Sequence, residues 1–545
     1  MDSRERSIEI LDTTLRDGAQ GEGISFSVRD KIAVAEALDD LGLAWIEAGN
    51  PGSNPKDLEF FEQASGLHLK HARLCAFGST RKKGIRPEED PQIRSLLGAG
   101  CEGIVIFGKS WDLHVTEVLR VSLEENIEMI AETVSFLKGE GRFVIYDAEH
   151  FFDGFKANRD YALGTLKAAR EAGADRIVLC DTNGGCFPGE IAAAAGEVIE
   201  NIAEGQAPSL QLGIHAHNDS GLAIANSIAA IQSGAGHVQG TLAGFGERCG
   251  NTSLAALIPS LELKLNCRCL PEGKLANICE VTRKVAEIAN VSLSDDMPYV
   301  GAHAFAHKAG MHADGILKIR RSFEHVDPLL VGNDRHFLMS EMGGRSAIAE
   351  RAKRIDPSIT KDHPVTQILS EKLKSLEASG WAFEGADASF EILVRRELGR
   401  YKPLFKILAY RVMSEHPTGE ALLCSHAWVK VWVEGKDEIA AAEGDGPVNA
   451  LDGALRRALL HFYPELEQVR LEDYKVRVID GKDATAAQVR VLIESTDGQR
   501  NWSTVGVSAD IIDASRAALV DSIEYKLIGD IERKFKTYAP LAKLG

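Results

Sequence analysis

No stretch of the 545-residue chain approaches the roughly 20 consecutive apolar residues that a membrane helix needs. The first residues, MDSRERSIEILDTTLRDG, mix acids with bases and lack the apolar core of a signal peptide. Positive charge is short as well. Against 80 Asp and Glu stand 62 Lys and Arg, a formal charge of −18, which disfavours a nucleic-acid partner because that needs a basic footprint. It does not exclude a small anionic substrate, since a local cation cluster or a metal outweighs the global balance. The nine cysteines are scattered, and Cys267 and Cys269 have no second pair at zinc-site spacing, so reduced thiols and a cytosolic compartment are expected. The first apolar run leads into LDTTLRDG, without the GxGxxG turn of a dinucleotide-binding open sheet.

What is present is a repeated texture. Short apolar, β-branched runs occur at Ile8–Leu11, Ala44–Glu47, Ala72–Phe77, Gly103–Phe107, Phe143–Tyr146, Arg176–Cys180, Gln211–His215 and His237–Leu242. Longer segments with helical spacing, such as SVRDKIAVAEALDDLG and NRDYALGTLKAAREAG, separate them and end in glycine. Eight such units in about 250 residues match the arithmetic of a (β/α)8 TIM barrel, with a doubly wound sheet as the rival. The division expected is a barrel over 1–270, a mostly helical linker subdomain over 271–380 and an α+β domain over 390–535. SGWAFEGAD reads as a linker. In the last part HAWVKVWVEG alternates, with Val429, Val431 and Val433 on one face, and TDGQ reads as a hairpin turn.

Barrel chemistry sits at the C-terminal ends of the strands. After the seventh run stands His215-Ala-His217, and residues i and i+2 of a strand face the same way, so both imidazoles can face the barrel mouth as half of a metal site. Alone, the pair reads equally well as two structural histidines. Other strand ends add Arg16 and Asp17, Glu149, Asp181 and Thr182, and the run Gly244-Phe-Gly246-Glu247-Arg248-Cys-Gly250-Asn251. Asp17 and Asn251 can complete a mixed nitrogen and oxygen coordination sphere with positions left for an oxygen-rich substrate. Glu247–Arg248 could be a structural ion pair, and Asp or Thr before a helix is often a cap. A divalent cation chelated by a 2-oxo acid, with a guanidinium beside it, would suit attack on a ketone by a carbon nucleophile.

DTTLRDGAQ, HAHND and GxGERxGN resemble the signatures of the 2-isopropylmalate synthase, homocitrate synthase and citramalate synthase family of metal-dependent TIM-barrel acyl-CoA condensing enzymes. YDAEHFFDG, FGSTRKKG and LLVGNDRHFLMSEMGGRS lean toward its citramalate branch, with the other two branches as alternatives. The resemblance implies acetyl-CoA and a 2-oxo acid, pyruvate first, as substrates, in isoleucine biosynthesis. It implies a divalent metal (Mg²⁺, Mn²⁺, Co²⁺ or Zn²⁺) on Asp17, His215, His217 and Asn251. Arg16 and Glu149 would be catalytic, and Arg16, Asp17, Gln20 and Thr182 would meet the substrate. In GMHADG, His312 and Asp314 match a histidine and acid that assist proton abstraction. A homodimer follows, with a C-terminal domain that either takes a branched-chain amino acid such as isoleucine as inhibitor or serves dimerisation alone. Ala19 stands where many relatives have Glu.

Overall fold

The computed structural model describes residues 6–64, 66–202, 212–307, 315–316, 318–337, 345–383, 385–415, 424–479 and 487–538. Eight parallel strands close into a barrel in chain order: β1 (Glu9–Asp12), β2 (Trp45–Gly49), β3 (Arg73–Ser79), β4 (Gly103–Lys109), β5 (Phe143–Glu149), β6 (Arg176–Asp181), β7 (Leu212–Ala216) and β8 (His237–Gly240). Each falls on one of the apolar runs. Closure is explicit in the pairing of Glu9 with His237 and Asp12 with Gly240, which removes the open-sheet alternative. Leu11, Trp45, Cys75, Val105, Ile145 and Val178 fill the barrel interior. A larger apolar shell, including Ile46, Ile104, Val144, Ile177 and Ile214, packs outward against the helices.

Local chemistry starts and stops those helices. Ser27 caps Val28–Leu41 in a reciprocal capping box with Asp30, and Gly42 ends it at φ 94°. Asn158 caps Arg159–Glu171 by accepting from the Tyr161 N–H. Past the barrel, helices Leu254–Leu265 and Ile278–Ile288 continue the helical texture, but residues 289–305 form turns instead.

Contacts divide the chain into two compact units, Met1–Phe305 with His325–Arg335, and Ala306–Glu324 with His336–Gly545. The second holds two three-stranded antiparallel sheets, β9 (Lys406–Glu415), β10 (Cys424–Val433) and β11 (Lys436–Gly444), then β12 (Arg470–Val478), β13 (Val489–Thr496) and β14 (Asn501–Ser508). Helices Pro447–Leu460 and Ile511–Tyr538 share their core. Val429, Val431 and Val433 are fully buried in that core, as their alternation required, and β13 turns into β14 across residues 497–500. SGWAFEGAD is not a loose linker. Phe383 and Ala386 are buried with Leu369, Phe390 and Val505, so the segment belongs to a core. No helix among the described residues is long and apolar enough to cross a membrane.

Candidate active site

A cavity of about 260 Å³ opens at the C-terminal ends of the strands, lined among others by Arg16, Asp17, Gln20, Glu149, Thr182, His215 and His217. Each wall follows from strand alternation or from a short turn. Arg16 and Asp17 leave β1 and lead into the tight turn Gly18–Gln20. His215 lies on β7 with its side chain inward, and His217 follows two residues later on the same side.

Asp17 is the hub. Its Oδ2 lies 3.2 Å from His215 Nε2 and 3.1 Å from Arg16 Nη1. Burial alone would raise its pKa, but Arg16, His215 and His217 outweigh it and hold the carboxyl well below the usual carboxylate range. Burial likewise disfavours the charged form of His215, yet the bond to Asp17 turns the net shift upward. His217 is different. Burial, then the charge of His215, pushes its pKa down to about 4, so it is neutral near pH 7 and offers a lone pair. Arg16 is anchored from behind by Glu47 on β2, whose Oε2 accepts from Nε at 2.5 Å, and its guanidinium lies 3.8 Å over the Phe77 ring. Burial opposes the guanidinium charge, and Glu47 and Asp17 more than restore it.

The cluster fits a metal ion on grounds of geometry and unsatisfied atoms. One ligand atom each of Asp17, His215 and His217 lies within 4.8 Å of the others. His217 Nδ1 and Asn251 Oδ1 are buried without a hydrogen-bond partner, a costly state unless a cation takes the lone pairs. Asn251 is brought to the rim by bridge pairing with His217, and its Nδ2 donates to the Phe245 carbonyl at 3.1 Å, which leaves Oδ1 free. The glycines of GxGERxGN make that loop possible. Gly246 has φ 150° and a Cβ there would lie 2.2 Å from Asn251 Nδ2, while Gly250 at φ 83° would put one 2.0 Å from the Gly244 carbonyl.

Other expected residues take more varied places. Glu149 lines the cavity but pairs with Lys109. Thr182 Oγ1 accepts from the His150 N–H at 2.9 Å, so its own hydroxyl proton stays available. Asp181 is drawn into its loop by the Gly185 and Cys186 N–H groups. Arg248 binds chiefly Asp219, in a two-pronged pair at 2.7 and 2.9 Å, and reaches Glu247 only at 3.7 Å, because the fold brings the Asp219 carboxylate closer. His312 and Asp314 lie outside the described residues.

Sequence reasoning missed the support behind this front row. Gln239 on β8 accepts from His215 Nδ1 at 2.8 Å and donates to Asp147 on β5 at 2.8 Å. This fixes the His215 tautomer and points Nε2 at Asp17. Glu47, Asp147 and Gln239 are polar residues inside apolar strand runs, a signal that was present in WIEAG, IYDAE and HVQG. Burial, followed by the charge of Glu47, pushes Asp147 up to about 7.

Residues 7–285 match the HMGL-like family, 299–380 the homocitrate synthase post-HMGL domain-like family, and 384–527 the LeuA allosteric (dimerisation) domain. An (R)-citramalate synthase of Aquifex aeolicus is 50% identical, over 96% of this chain and 98% of its own. One from Geobacter sulfurreducens is 49% identical over 95% and 97%. A probable 2-isopropylmalate synthase of Methanopyrus kandleri is more distant, 31% identical over 95% and 97%. Such identity over nearly the full length, on a closed barrel with the three signatures gathered at its rim, makes the chain a member of the (R)-citramalate synthase family.

Proposed function

We propose that the protein joins acetyl-CoA to pyruvate to give (R)-citramalate and free CoA, a step of isoleucine biosynthesis in the cytosol. One observation carries this reading: Arg16 and His215 both meet the Asp17 carboxylate at the mouth of the barrel, beside a neutral His217 and an open cavity. Asp17, His215, His217 and Asn251 would hold a divalent cation, with Mg²⁺, Mn²⁺, Co²⁺ and Zn²⁺ all compatible with two imidazoles and two oxygens. Such a cation supplies a Lewis acid that polarises the keto group of a 2-oxo acid.

The protein groups do the rest. Arg16, always protonated and held by Glu47, donates to the keto oxygen and stabilises the negative charge that gathers there as the new bond forms. The Thr182 hydroxyl and Gln20 orient the carboxylate end. A base removes a proton from the acetyl methyl, and the resulting carbon nucleophile attacks C2 of the 2-oxo acid. Glu149 stands at the rim for this proton traffic, and His312 and Asp314 are the further candidates. Water then cleaves the thioester and the thiol leaves. The apolar wall of Phe77 and Phe107, stacked 5.2 Å apart, suits the methyl group of pyruvate better than a longer or charged chain.

The segment 271–380 and the domain 390–535 serve this barrel as accessory parts in this reading. The C-terminal domain pairs two chains and takes a branched-chain amino acid such as isoleucine; its match to a LeuA allosteric (dimerisation) domain supports this. Acetyl-CoA offered with pyruvate, 2-oxoisovalerate and 2-oxoglutarate in turn, with thiol release followed, tests the reaction. Pyruvate should be preferred, chelation should stop turnover, and metal should restore it. Full turnover in a rigorously metal-free preparation would discard the metal-based scheme.

A further inference from the structure

A second cavity, of about 160 Å³, adjoins the first across Phe107, which lines both. Its walls include Arg81, Lys82, Lys83 and Lys109 and no acidic side chain, on a chain whose formal charge is −18. The remainder is Ser79, Thr80 and an apolar floor of Leu119, Val121 and Met129. Such a pocket selects a ligand that is anionic at one end and apolar alongside.

The three consecutive cations are not equivalent. Arg81 is buried and spent on structure: its guanidinium spans Glu132 at 2.5 Å and Glu125 at 3.0 Å on helix Leu123–Gly139. The loop backbone is pinned on both sides of Arg81. The Arg81 N–H donates to Thr133 Oγ1 at 2.9 Å and the Lys82 N–H to Asp90 Oδ2 at 2.7 Å, both acceptors fully buried. Lys82 and Lys83 therefore leave a fixed backbone as exposed cations. Neither has a carboxylate partner among the described residues; Lys83 Nζ reaches only the Arg120 carbonyl, at 3.2 Å. Lys109, two residues beyond Phe107 on β4, pairs with Glu149 of the main cavity and so marks the seam between the two spaces.

We propose that this cavity is the subsite for the phosphorylated end of the acyl-CoA. Lys82 and Lys83 hold its phosphates, and the uncharged arm passes along Phe107 so that the acyl group lies in the 260 Å³ cavity. The inference rests on the acetyl-CoA reading above and adds the place and residues of recognition. Two lysine ammonium groups suit phosphates that approach as flexible point charges.

The test compares acetyl-CoA with S-acetyl-N-acetylcysteamine, a thioester without phosphates, in the full-length enzyme and in Lys82→Ala/Lys83→Ala. The double substitution should raise KM for acetyl-CoA by about 10–100-fold, as expected for two lost charge-assisted contacts, and the selectivity for acetyl-CoA over the short thioester should fall by a similar factor. Lys82→Arg/Lys83→Arg should recover most of it. Calorimetry with adenosine 3′,5′-bisphosphate should detect binding to the unaltered protein that weakens in the alanine variant and with added salt. An unchanged KM for acetyl-CoA, an equal loss for both thioesters, or bisphosphate binding indifferent to the substitutions would overturn the assignment. Failure of the reaction reading looks different: the unaltered protein would release no CoA with any 2-oxo acid, whatever its bisphosphate binding.

Discussion

Arg16 and His215 each depend on a residue that never lines up beside them in the sequence. Glu47 holds the guanidinium, and Gln239, itself held by Asp147, holds the imidazole. Arg16→Lys keeps a charge but loses the planar fork that reaches Glu47 and Asp17 together. Turnover should fall by about 10²–10³-fold while divalent-metal binding persists, as steady-state rates and metal titration would reveal. Gln239→Leu acts on the other arm. It leaves His215 Nδ1 without its acceptor, so metal affinity should weaken by about 10–100-fold, read directly from Mn²⁺ binding followed by paramagnetic resonance. Unaltered affinity in that variant would mean that the strand alone sets the ring. His215 and Asp17 were legible in the sequence because they stand at the C-terminal ends of strand runs or just beyond them. Glu47, Asp147 and Gln239 were not, because a polar residue within an apolar run does not say which face or which neighbour it meets.

Among the elements, the loop after β8 shows how backbone conformation delivers a ligand. Its glycine letters could be read as a signature, but their reason is a contact: Gly250 sits at φ 83° with the Gly244 carbonyl where a Cβ would be. Gly250→Ala should displace Asn251 and cost activity more than global stability, with a penalty of about 1–3 kcal/mol confined to the loop. Circular dichroism should stay native while metal affinity drops, and a fully active, normally stable variant would refute the steric argument. The helix caps needed no tertiary information. Ser27 with Asp30 and Gly42 bracket a helix by bonds within a few residues, which is why SVRDKIAVAEALDDLG could be assigned end to end.

At the scale of the whole molecule, burial sets a pH dependence. Burial pushes Asp12 on β1 and Glu524 on helix Ile511–Tyr538 up to about 7, from ordinary values of 3.8 and 4.5. Between those values the folded groups keep a proton that the unfolded chain has lost, so their contribution to stability falls as pH rises from about 4 to 7. Glu524→Gln preserves the acceptor for the Leu404 N–H and removes the titration, so the thermal midpoint of the variant should vary less between pH 5 and pH 8 than that of the parent. A parallel pH profile in both proteins would exclude Glu524 as a source. The SGWAFEGAD segment carries a second consequence. Phe383, Phe390 and Val505 share a core with Ile348, Leu369 and Leu373. A chain cut near Gly380 should therefore expose apolar surface on helix Pro364–Ala378 and become sensitive to protease there, and a stable, resistant truncation would show that this helix does not need the shared core.

The eight βα units, the caps that bound their helices and the alternation of β10 were readable from local sequence, because each depends on residues within one turn or one strand. The sequence also pointed to Arg16, Asp17, Thr182, His215 and His217, which line the cavity, since barrel chemistry gathers at the C-terminal ends of the strands. Tertiary structure alone decided closure of the sheet through the pairing of β8 with β1, the choice of Asp219 over Glu247 for Arg248, and the relay from Asp147 through Gln239 to His215. It also separated Arg81, spent on Glu125 and Glu132, from Lys82 and Lys83, which have no carboxylate partner among the described residues. Those outcomes join residues far apart along the chain, where the competing partners are equivalent in chemistry and only distance and burial select between them.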